Sequence, residues 1–169
     1  RILEGEQNNS SCVVREGDVV QNIKSDSNYI LYLTSSSEEY YADDPYCSYE
    51  EQIKSLKLLV KIAAERRVNL IIRVHPNARA KLLHPIGAEK FLKEIAKFRN
   101  MKNVRIINPE EMISTYRLLS NSIMNFVDTS HILVECMMAK IPCIVLSKSR
   151  IYKKYFPNWH ITERSKIKS

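Results

Sequence analysis

Apolar positions along this 169-residue chain switch repeatedly between two periods. Tyr29–Thr34 (YILYLT) is a short apolar run rich in β-formers and closed by Ser35, Ser36 and Ser37, which predicts a buried strand. Tyr49–Arg66 places Ile53, Leu56, Leu59, Val60 and Ala63 at helical spacing. Asn69–Val74 is a second strand run, stopped by His75 and Pro76. Ala88–Arg99 is helical in period, Val104–Ile107 is a third strand, and Glu110–Ser120 is a helix. Ser122–Val127 reads as a fourth strand. Thr129–Ala139 reads as a helix capped by Asp128, and Pro142–Leu146 as a fifth strand. Residues 1–28 are polar and weakly periodic, a linker or domain-connecting segment with one short strand at Cys12–Val14.

Strands alternating with helices of this length predict an α/β domain, a doubly wound, Rossmann-like parallel sheet over residues 29–156. Ligands of such sheets bind beyond the carboxyl ends of the strands, at the point where strand order reverses. Four polar clusters follow predicted strands: Ser35–Ser37, His75-Pro76-Asn77, Asn108-Pro109-Glu110 and Asp128-Thr129-Ser130. All four are expected along one edge of the sheet.

Composition narrows the function classes. No apolar run is long enough to span a bilayer, and no secretory leader pattern is present. Four cysteines (12, 47, 136 and 143) lack metal-ligand spacing and are expected as reduced thiols of a cytoplasmic protein, without a metal. The formal net charge is +7, and its distribution is uneven: from Lys140 onward eight Lys/Arg face one acid, Glu163, so this stretch carries all of it. A neutral body with a basic end, residues 157–169 forming the tail, argues against nucleic acid. It leaves three readings open: a solvated tail, an anionic ligand, or an anionic membrane surface. The first residue is Arg1, and a segment upstream is expected.

The chain has three glycines, at 5, 17 and 87, and no glycine-rich phosphate cradle, which argues against a dehydrogenase fingerprint and a P-loop. Phosphate must then be held by side chains and helix N-termini. His75 projects from a strand end that Pro76 terminates, either as a phosphate donor or as a loop cap. Thr129 and Ser130 open a helix, as an anion site or as plain capping. Glu135 sits among Leu133, Val134, Met137 and Met138, where a carboxylate needs partners: ribose hydroxyls or a salt bridge.

Arg73-Val74-His75-Pro76-Asn77, followed by the run from Asp128 through Glu135 to Leu146, resembles the C-terminal domain of GT-B glycosyltransferases. The nearest subset looks like bacterial capsule and surface-polysaccharide proteins, including CMP-sugar users that transfer Kdo or sialic acid. The resemblance covers about residues 29–156. It implies that His75 and Pro76, with Asn77, contact the donor phosphate and serve catalysis through His75. It further implies that Asp128, Thr129 and Ser130 bind the nucleotide, that Glu135 binds the ribose, and that Ser35 and Ser36 face the cleft between domains. It implies a metal-independent transfer from a nucleotide-sugar substrate, no further cofactor, and an N-terminal acceptor-binding domain as partner. The implied location is cytoplasmic, at the inner face of the cell membrane. Lys140 stands where the family has a glycine, so the turn before the last strand is expected to differ.

Three other readings compete. CDP-polyol phosphotransferases carry a His-Pro-Asn segment, but with Asp-Tyr-Ser-Ser where this chain has Asp128-Thr129-Ser130-His131. A nucleotide-sugar 2-epimerase would carry a glycine-rich turn after the fourth strand, which is absent. A non-catalytic scaffold of the same fold is the remaining alternative. In the basic stretch, Arg150, Lys153 and Lys154 are interleaved with Tyr152, Tyr155, Phe156 and Trp159, for membrane docking or, for Tyr155 and Phe156, packing back as a last helix.

Overall fold

The computed structural model describes residues 28–36, 48–79, 85–147 and 150–159. The linker at 1–27, its strand at Cys12–Val14, Ser37, Cys12, Cys47 and the tail beyond Trp159 lie outside them.

Five strands form one parallel sheet: β1 (Tyr29–Leu33), β2 (Asn69–Arg73), β3 (Val104–Ile107), β4 (Met124–Val127) and β5 (Cys143–Val145), in the order β3-β2-β1-β4-β5. Between them run α1 (Tyr49–Arg66), α2 (Pro85–Ala96), α3 (Thr115–Asn121) and α4 (Ile132–Met138), and α5 (Arg150–Tyr155) follows β5. β1 is central, with Ile30 paired to Leu70 on one side and to Met124 on the other.

Every residue of β1 is buried because helices cover both faces, which explains a strand that is apolar throughout rather than alternating. Ile30 and Tyr32 face α1 and α2, packing with Leu56, Leu59 and Phe91. Tyr29, Leu31 and Leu33 face the other layer, with Leu118 and Leu119 of α3, Leu133 of α4 and Tyr152 of α5. The expected doubly wound, Rossmann-like architecture is therefore the observed one.

Helix boundaries follow local capping chemistry. Ser48 accepts the Glu51 N–H at 3.3 Å and starts α1. α3 is shorter than the expected Glu110–Ser120. The Glu111 carboxylate accepts the Asn108 backbone N–H at 2.7 Å and its side-chain amide at 3.0 Å. That closes a turn, and Ser114 then caps the helix. α4 begins at Ile132 rather than Thr129, and Asp128 does not cap it. The Asp128 carboxylate is turned the other way, to Tyr32 and Ser55.

Lys140 corrects a further expectation. It adopts the left-handed conformation a glycine would take, at φ 56°, so the turn into β5 keeps its shape. The Lys140 N–H bonds Met137 O and the Ile141 N–H bonds Cys136 O at 2.8 Å, closing the helix end. Arg67 does the same after α1, also at φ 56°. A β-carbon in this region costs about 1–2 kcal/mol, offset by about 0.5–1 kcal/mol of glycine's extra chain entropy. Lys140→Gly and Arg67→Gly are each expected to stabilise the fold by about 0.5–1 kcal/mol, read as a higher urea midpoint with unchanged slope.

Candidate functional site at the sheet's carboxyl edge

The strand order reverses between β1 and β4, and the chain leaves both strands there in polar segments. Thr34, Ser35 and Ser36 follow β1; Asp128, Thr129 and Ser130 follow β4; all six are buried. His75-Pro76-Asn77 follows β2, on the other side of β1, and Asn108-Pro109-Glu110 follows β3. The four clusters thus share one edge, as the topology required.

Two hydrogen-bonded clasps fix the segments around β1. The Ser35 hydroxyl donates to Thr129 O and accepts the Thr129 N–H, the latter at 3.2 Å. Ser35 is held on its other side by Gln52 of α1. Its N–H donates to Gln52 Oε1 at 2.9 Å, and Gln52 Nε2 donates to Ser35 O at 3.2 Å. The side-chain amide pairs with the backbone as a neighbouring strand would, and orients the residue after β1 without another strand.

Beneath these clasps lies a buried carboxylate. Asp128 is 1% exposed. The Tyr32 hydroxyl donates to Oδ2 and the Ser55 hydroxyl to Oδ1, the latter at 3.0 Å. A carboxylate withdrawn from water needs such donors. Its place is therefore structural: it binds β1, β4 and α1 together below the edge. Thr129 is wholly buried, and among the described residues its Oγ1 has no hydrogen-bond partner, a rare condition for a buried hydroxyl.

His75 is positioned by both neighbours. Its N–H donates to Thr34 Oγ1 at 2.8 Å, and its Nδ1 accepts the Asn77 N–H at 3.0 Å. An accepting Nδ1 in a neutral imidazole places the ring proton on Nε2. The ring is half-buried, while Pro76 and Asn77 are exposed. Arg73 is buried at the end of β2 and its Nη1 donates to Asn108 O at 2.6 Å, tying the ends of β2 and β3. Ser130 accepts the Ile132 N–H through its hydroxyl at 3.4 Å. The Thr129 amide goes to Ser35 and the Ile132 amide to Ser130, so these two donors serve the protein itself.

Glu135 lies on α4 and is half-buried. Burial first, then the neighbouring Glu135 carboxylate, push the phenol of Tyr116 on α3 above its ordinary 10.0. In the layer beneath, Cys136 and Cys143 are buried free thiols in contact. The hydrogen bond from Cys143 holds the Cys136 thiol low, and the same bond and burial push Cys143 up. Among the described residues no three His, Cys, Asp or Glu side chains gather as metal ligands.

Sequence reading missed Tyr32, Gln52 and Ser55. The signal was present: Gln52 and Ser55 occupy core positions on the stripe that continues through Leu56 and Leu59. A polar residue in a buried stripe marks a partner to be found.

No protein-family model and no curated protein matches the chain. Solved structures do. The UDP-GlcNAc 2-epimerase of Methanocaldococcus jannaschii, in complex with UDP-GlcNAc and UDP, aligns with a TM-score of 0.57 at 18% identity, over 84% of this chain and 37% of that one. A second structure of that enzyme aligns at 0.57 and 19%, over 83% and 36%. The likeness is one of fold, a Rossmann-like parallel α/β domain, and the chain spans little more than a third of those chains.

Removing the Tyr32 hydroxyl leaves a buried carboxylate short of a donor. Tyr32→Phe is expected to cost about 1.5–3 kcal/mol, measured by urea unfolding. Tyr116 gives a pH signature. Because its folded value is raised, its contribution is fully present below pH 10 and is lost as pH rises through the raised value. Tyr116→Phe is expected to flatten that alkaline loss in a thermal-melt series.

Proposed function

We propose that this chain is the nucleotide-sugar-binding half of a two-domain GT-B-type enzyme. The observation that carries the proposal is the convergence at the switch point. Ser35, Ser36, His75, Thr129 and Ser130 flank the carboxyl ends of three adjacent strands, and the Thr129 hydroxyl there is buried without a partner among the described residues. The fold likeness to an enzyme solved with UDP-GlcNAc and UDP supports the same reading.

In this reading the sugar nucleotide lies across the sheet edge. His75, with its proton on Nε2, donates to the diphosphate or phosphate as negative charge develops during departure of the nucleotide. Ser35, Ser36 and the Thr129 hydroxyl line the same position, Asn77 holds the His75 tautomer, and Glu135 binds the ribose hydroxyls. The N-terminal domain supplies the acceptor. The finer assignment is a metal-independent glycosyltransferase of bacterial surface-polysaccharide synthesis, using a CMP-sugar at the inner face of the membrane; it rests on the resemblance of the His75 and Asp128–Glu135 motifs.

A second reading is a nucleotide-sugar 2-epimerase half. The absence of a glycine-rich turn after β4 counted against it, but the solved neighbours are epimerases, and the Ser35–Thr129 clasp shapes that turn without glycine. Both readings share a donor site and differ in the nucleotide.

Titrating CMP, CDP, UDP, GDP and UDP-GlcNAc into the chain, followed by two-dimensional NMR, tests the proposal. Shifts at His75, Thr129 and Glu135 with one nucleotide are expected; CMP favours the transferase and UDP the epimerase. Uniform silence, with the fold intact, overturns donor binding by this domain alone. In the two-domain enzyme, His75→Ala is expected to lower turnover about a hundredfold, and unchanged turnover removes His75 from the chemistry.

A further inference from the structure

The described part of the basic stretch beyond β5 is α5 with the short turn after it. α5 is a short helix with two unlike sides. Tyr152 is buried and Phe156 packs with it against the α3–α4 layer, their rings 6.0 Å apart. The adjacent positions turn outward: Ile151 is 41% exposed and Tyr155 63%. The sequence reading had Tyr155 packing back and Tyr152 available for docking. The helical phase reverses both, because Tyr152 and Phe156 are one turn apart and take the inward side together.

Helical geometry sets Lys154 on the same outward arc as Ile151 and Tyr155. Its ammonium sits 5.1 Å from the Tyr155 ring centroid. Lys153 is exposed on the flank. Ile151 and Tyr155 are two large apolar groups held in water beside two cations, in a stretch that carries the whole net charge of the chain. Nucleic acid is bound mainly through phosphate contacts, which leave an exposed isoleucine unused. A lipid interface uses both features: apolar tips enter the headgroup boundary while lysines meet anionic headgroups.

We propose that the outward face of α5, through Ile151, Lys153, Lys154 and Tyr155, docks the protein on an anionic lipid bilayer. The surface is peripheral, since no described helix is long and apolar enough to cross a membrane. The proposal does not rest on the donor-site reading.

The test is co-sedimentation of the full chain with vesicles of phosphatidylglycerol and phosphatidylcholine, and with phosphatidylcholine alone, beside a titration with duplex DNA. Binding to the anionic vesicles that weakens as salt rises is expected. Lys153→Gln with Lys154→Gln is expected to weaken it about 25-fold, about fivefold per lysine. Ile151→Ser with Tyr155→Ser is expected to lower it as well, with melting temperatures unchanged for these exposed sites. Equal pelleting on both vesicle types overturns the proposal. So does anionic binding that either double substitution leaves intact, which would assign it to the tail. Tight DNA binding without vesicle binding overturns it in favour of nucleic acid.

Discussion

The Asp128 carboxylate, buried between the Tyr32 and Ser55 hydroxyls, is the interaction on which the sheet's carboxyl edge depends. It draws together β1, β4 and α1, the three elements that meet where the strand order reverses. Hydrophobic burial alone leaves such elements free to slide by small amounts, because packing is non-directional. A carboxylate with two hydroxyl donors is directional, and placing it elsewhere would leave a charge in the core. The Ser35–Thr129 and Gln52–Ser35 clasps repeat the device one layer up. The edge is thus built from polar groups that satisfy each other.

This arrangement replaces glycine. Many phosphate sites bring backbone close to ligand by omitting side chains. Here the segments after β1 and β4 are crossed by hydroxyls and a side-chain amide. Two backbone donors there serve the protein itself, at Thr129 through Ser35 and at Ile132 through Ser130.

The layout of the fold was legible because it rests on periodicity. α1 and β3 were bounded in sequence where they are bounded in space, and the polar clusters fell at strand ends because parallel topology leaves them nowhere else. What the sequence hid was the direction in which polar side chains turn. Asp128 before an apolar helix reads as a cap, and only contact with Tyr32, 96 residues away in the chain, turns it into an anchor. Glu135 reads as a carboxylate needing a partner, and the group whose titration it raises, Tyr116, stands on another helix. Lys140 at a glycine position predicted an altered turn; the hydrogen bonds closing α4 were strong enough to hold a lysine in glycine's conformation.

The central place of β1 has a consequence for synthesis of the protein. Its first ladder, with β2, forms within about forty residues of chain, from Tyr29↔Asn69 to Leu33↔Arg73. Its second partner, Met124–Val127, leaves the ribosome much later. In that interval an apolar strand is paired on one side only, and such an edge is a template for wrong pairing. The same residues that give the finished domain its middle are an open strand edge in the half-made chain.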